Sequence, residues 1–325
     1  KMKQLAEQGE EEDDEETKDN LYAYQNTAFS EMIQRSLQIL LNICLLNPAE
    51  CSNFFESIYQ NLCILMNNND EQIARTAVKS FEQLAGAYIM VNADTGPILD
   101  ALLHQMEAPD MHSLEYLATI WSAIATVMGI VGRDLIFPKA GDIFLALSKV
   151  FIDKDSNNKF NDAGNKFEIS SKFRAPVFQV LDTFVDELQA DFHQFAEPIV
   201  QNLLVITTKT STHTHVFCSR SLAHIAATFP ANDENGNKLL TSAYQTAMNS
   251  IQSAKYKEKT IGLSTLAFIV NHRPDLSAAN RNDLVQYCVS VIEKVEAGSQ
   301  EEPMPFVNEC VSLYFTLILQ YQMVG

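Results

Sequence analysis

The chain has 325 residues, 46% of them hydrophobic, which is enough apolar mass for a large core and excludes disorder throughout. Only 11 are Gly, far below the roughly 7% of average proteins, which argues against glycine-rich phosphate loops and turn-rich β architectures. Acids outnumber Lys and Arg 41 to 23, a net charge of -18. Direct binding to a phosphate backbone is therefore disfavoured, and a basic protein is the more natural partner.

Residues 1–25 differ from the rest. Glu10, Glu11, Glu12, Asp13, Asp14, Glu15 and Glu16 form an unbroken acidic run. Such a like-charged block is expected to be a disordered or linking segment, and as an arm it would speed the approach of a basic partner. Residues 26–325 read as one α-solenoid. From Ala28 the apolar positions Phe29, Met32, Ile33, Leu37, Leu40, Leu41, Cys44 and Leu45 trace an amphipathic helix that Asn47 and Pro48 stop. A second helix runs from about Cys51 through Met66, and a third carries Ile73, Ala77, Phe81, Leu84 and Tyr88. Pro97 opens the fourth at a position where its missing N–H costs nothing.

The rhythm continues to the end of the sequence. Odd-numbered helices begin near residues 28, 71, 112, 171, 213, 257 and 303, and even-numbered ones near 51, 95, 138, 191, 237 and 281. Two helices every 40–47 residues or so is the spacing of HEAT or armadillo arrays, in which each pair buries its apolar face on its neighbours. The expected fold is an all-α, right-handed superhelix of about six and a half such pairs. One gap is longer, and the polar stretch 153–170, DKDSNNKFNDAGNKFEIS, reads as an inserted loop. Pro176 is expected to mark the true start of the seventh helix, and Pro198 to kink or split the eighth.

Motifs for chemistry are scarce. Asp153, Asp155, Asn157 and Asn161 have calcium-loop spacing, but Asn158 and Gly164 stand where the turn glycine and bidentate glutamate belong. His213 and His215 point apart on a helix and Cys218 faces the core, so no metal site is expected there. The carboxylates of Asp182, Asp186 and Glu187 read as a solvated helix face. No phosphate-loop, dinucleotide or nucleophile-elbow motif occurs. The chain is thus expected to be no enzyme and to need no cofactor. The six cysteines form no C-x-x-C and read as reduced core thiols of a cytoplasmic or nuclear protein. No apolar run is expected to reach the ~18 residues of a bilayer span, and Trp121–Val131 reads as a core helix.

NNNDEQIARTAVKSFEQL (67–84) resembles the first helix of a HEAT repeat, with Asp70 in the turn and Ile73, Arg75, Ala77 and Leu84 at the usual places. Four more segments follow in order: NTAFSEMIQRSLQILLNI, ILDALLHQMEAP, SLEYLATIWSAIATVMG and VFQVLDTFVDELQADFHQFAEPIVQNLL. Together they are similar to the later HEAT repeats of the importin-β (karyopherin-β) nuclear transport receptors, the larger ones that carry ribosomal proteins and histones, over most of 26–272. That resemblance implies a monomer moving between cytoplasm and nucleus. Its partners would be a basic protein cargo, the GTPase Ran, contacted mainly by amino-terminal repeats this sequence does not match, and the Phe-Gly repeats of nucleoporins. Neither nucleic acid nor membrane is expected. If the even-numbered helices line the cargo face, then Asp100, Glu107, Asp142, Glu197, Asp283 and Glu293 are the acids to attract it. Phosphatase and chromosome-complex scaffolds share the single-repeat signature and supply the alternative.

Overall fold

The computed structural model describes residues 28–107, 109, 112–153, 160–162, 165–210, 212–296 and 302–324. The acidic run at 10–16 and most of the calcium-like loop lie outside them. The architecture is all-α, a helical repeat in which helices stack on their sequence neighbours. The chain forms two compact units, one running to Gln105 and including Glu115–Val131, the other comprising Met106–Leu114 and Gly132 onward.

The first unit holds α1 (28–46), α2 (Phe55–Met66), α3 (Glu71–Met90), α4 (Gly96–His104) and α5 (Leu114–Val131). Two short turns, Pro48–Cys51 and Ser52–Phe54, precede α2. Asp70 caps α3 by accepting the backbone N–H groups of Gln72 and Ile73. The same carboxylate accepts the Ser30 hydroxyl at 2.5 Å, tying the start of α1 to the start of α3. Arg75 Nε donates to Thr119 Oγ1 at 3.2 Å and links α3 to α5. Phe81, Leu84, Ile98, Leu102 and Trp121 form the dry interior.

Two expectations change in this unit. The first apolar stripe is not one buried face: Leu41 and Cys44 are buried, whereas Phe29, Met32 and Leu40 are exposed, with Ile39, Ile43 and Leu46 beside them. The apolar face of α1 is wider than the side that is covered. Helix α5 is also long and apolar enough, by length and composition, to cross a membrane. Its lone acid, Glu115, sits in the first turn, and Trp121, Ile124 and Val127 are buried in its own unit.

In the second unit the turns Arg133–Ile136 and Phe137–Lys139 lead into α6 (Ala140–Phe151). A strand pair follows, β1 (Asn161–Asp162) and β2 (Asn165–Ile169). Then come α7 (Ser171–Leu188), α8 (His193–Lys209), α9 (Thr212–Ala227), α10 (Glu234–Ser250), α11 (Tyr256–His272), α12 (Arg281–Glu296) and α13 (Met304–Val324). Helices α7, α9, α11 and α13 lie side by side in that order, and the even-numbered helices pack against them. Short turns fold each helix back on the one before. Gly262, near the start of α11, accordingly meets Ala247 and Ser250, at the end of α10.

The inserted stretch is more than a loop. Antiparallel pairing of β1 with β2 buries Phe160 and Ile169, and the Phe160 ring meets Phe173 of α7 edge-on at 5.3 Å. Those two apolar side chains, hidden in a polar sequence, account for the difference. Helix α7 begins at Ser171, five residues before Pro176, so the proline lies inside it and does not mark its start. Helix α8 runs from His193 to Lys209 with Pro198 inside it and is not split there. The irregularity falls earlier, where Gln189 takes a left-handed φ of 52° and a 3-10 turn, Gln189–Phe192, joins the two helices. Each proline is the sixth residue of its helix and omits one ladder hydrogen bond.

Candidate functional site: a groove across four helix starts

Because α7, α9, α11 and α13 run in the same direction, their first turns lie in a row. Ser171, Arg174 and Ala175 come from α7, and His213 and Phe217 from α9. Tyr256, Lys257, Thr260 and Ile261 come from α11, while Pro303, Pro305 and Phe306 come from the start of α13. Together they line an open groove of about 630 Å³. Its floor is apolar and aromatic: Tyr256 meets Phe306 edge-on at 5.2 Å, and Phe217 stacks on Phe178 at 5.4 Å.

Among the described residues no carboxylate lines this groove, although the chain is strongly acidic. Lys257 is exposed on its wall. The Lys259 ammonium lies 5.1 Å from the Tyr256 ring and 5.7 Å from the Phe306 ring, a cation–π arrangement. Two nearby acids, Glu168 and Glu258, are buried and neutralised from behind. Glu168 is bonded by Arg174 Nη2 at 2.9 Å and by the Thr214 hydroxyl. Glu258 accepts Ser253 Oγ at 2.6 Å, pairs with His213 Nδ1 at 3.1 Å and lies 3.3 Å from Lys255 Nζ. Burial pushes the Glu258 pKa up, and these three partners more than reverse that, leaving it below the usual glutamate value.

A second polar layer lies deeper along α7 and α9. Asp182 is buried and accepts Arg220 Nε at 2.7 Å and the Ser221 hydroxyl. It is not part of a solvated face: it sits on the side of α7 that α9 covers, and only Asp186 of that trio is exposed. His224 Nδ1 pairs with Asp186 at 2.8 Å, and its ring stacks on Phe268 at 3.9 Å. Burial lowers the His224 pKa, but attraction to Asp182 and Asp186 outweighs it, and the net shift is upward.

The predicted cargo acids are all exposed. Asp100 lies on α4, Glu107 just beyond it, Asp142 in the first turn of α6, Glu197 on α8, and Asp283 and Glu293 on α12. Apart from Asp283 and Glu293, which share α12, they belong to separate elements, and among the described residues no three His, Cys, Asp or Glu side chains gather as metal ligands. His213 and His215 do not converge; His213 serves Glu258, and Cys218 is buried in the core. The groove itself was not anticipated. Its signals were KYKEK at 255–259 and PMPF at 303–306, which acquire meaning only when the starts of successive odd helices are laid side by side.

No protein-family model matches the chain, and no curated protein matches it. Among solved structures, a crystal structure of an engineered protein aligns over 89% of this chain and 75% of its own, at 13% identity and a TM-score of 0.39, a likeness too slight to carry an argument.

Proposed function

We propose that the chain is a docking stretch of a nuclear transport receptor that carries a basic protein and performs no chemistry on it. The observation that supports this best is the exposure of Asp100, Asp142, Glu197, Asp283 and Glu293 on even-numbered members of a helical repeat, with Glu107 exposed just past α4. Acids spread over several helices suit a long basic segment, which gains many modest contacts and a fast, salt-sensitive approach. Ran in its GTP form would release that cargo, and Phe-Gly repeats would enter between neighbouring helices as the protein passes from cytoplasm to nucleus.

The test is fluorescence anisotropy of a labelled histone or ribosomal-protein tail at low salt. Binding should weaken as salt rises and weaken further when the six acids are replaced by Asn or Gln. No binding at low salt would end the reading. Adding Ran-GTP to the cargo complex of a full-length protein that carries the amino-terminal repeats separates the receptor, which lets go, from a phosphatase or chromosome-complex scaffold, which does not.

A further inference from the structure

We propose that the groove across the starts of α7, α9, α11 and α13 is a docking site for a second kind of partner, an acidic polypeptide segment bearing aromatic or large aliphatic anchors. The proposal stands apart from the basic-cargo reading, which uses the even-numbered helices. Its first support is shape. Four neighbouring helices at interaxial steps of about 8–10 Å give a track roughly 25–30 Å long, the reach of about eight or nine extended residues. The second is the floor, where Phe217, Tyr256, Ile261, Pro303, Pro305 and Phe306 offer apolar surface to side chains spaced along such a segment.

Charge selects the partner's sign. Among the described residues the lining holds no acid; Arg174 and His213 are engaged by Glu168 and Glu258, and the cations turned towards a ligand are Lys257 on the wall and Lys259 over the two floor rings. Glu168 and Glu258 are buried and held by their own cationic or hydroxyl partners. Glu302, the acid next to Pro303, is half-buried and its Oε2 has no hydrogen-bond partner among the described residues, so Lys257 and Lys259 must outweigh it. The positive ends of four helix dipoles point towards the same track and add to its potential. A phosphate backbone offers no anchors to the apolar floor, whereas an acidic peptide with apolar side chains uses both the floor and the rim.

The experiment uses the full chain and a labelled twelve-residue peptide of glutamates with two spaced phenylalanines. Three control peptides replace glutamate by glutamine, glutamate by lysine, or phenylalanine by alanine. The acidic aromatic peptide should bind, each control should bind at least about tenfold more weakly, and rising salt should weaken binding. Lys257→Glu should reduce affinity by about threefold to tenfold, and Thr260→Trp, which fills the track, should abolish it, with unchanged helical circular dichroism and melting in both. Equal binding of the glutamine peptide would overturn the proposal, because an uncharged aromatic plug would then be the true ligand. Indifference to Thr260→Trp in a folded protein would also overturn it. So would binding that appears only after residues 1–25 are deleted, since the occupant would then be the chain's own acidic run.

Discussion

At the scale of single residues, the side chains with most at stake are the buried charges between α7 and α9. Asp182 is 7% exposed and bonded to Arg220 and Ser221. Removing one member of a buried pair strands the other, a loss on the order of 3–5 kcal/mol. Asp182→Ala should therefore lower the urea midpoint of the second unit sharply. Asp182→Asn, which still accepts a hydrogen bond, should do so less. Equal midpoints for wild type and Asp182→Ala would show that the pair contributes nothing. His224 makes the same layer sensitive to pH. Its pKa is raised in the fold by Asp182 and Asp186 against the opposing effects of burial and Arg220. The stability it contributes is therefore complete below the ordinary histidine pKa of about 6.5 and is lost as pH rises through the higher folded value. Melting followed from pH 5.5 to 8.5 should fall for wild type, and that fall should shrink in His224→Gln.

At the scale of elements, α10 and α11 approach closely at Gly262. A β-carbon there would lie 2.9 Å from Ser250 Cβ and 3.0 Å from the Ala247 carbonyl oxygen. A backbone atom cannot rotate away, so Gly262→Ala should force the helices apart at a cost of about 1–3 kcal/mol, although alanine is the better helix former. Thermal unfolding in which the variant matched or exceeded wild type would refute that packing. Most helices were legible because their signal is local. Asp70 before Glu71, Asn47 before Pro48 and the 3.6-residue stripe of α3 each declare themselves without reference to distant residues. The strand pair was not, since its reason to exist is the burial of Phe160 against Phe173 on another element. Asp182 was misplaced for a related reason. A carboxylate on a helix reads as solvated until α9 brings Arg220 and Ser221 to it. The groove, built from the first turns of four helices, was hidden for the same cause.

At the scale of the molecule, the principal contacts join helices one or two apart in sequence, so stability is close to a sum over neighbours. Damage should accordingly stay local. In Gly262→Ala, amide exchange should quicken in α9–α13 while α2 and α3 keep their protection. The cysteines give that locality a chemical dimension. Cys218, Cys288 and Cys310 are fully buried along the second unit and Cys44 is buried in the first. Burial pushes the Cys44 thiol up to about 11, while Cys288 and burial together raise Cys310 as well, so little of either is ionised at neutral pH. An alkylating reagent can reach these sulfurs only while a repeat gapes. Every adduct is then a record of where, and how often, the stack breathed.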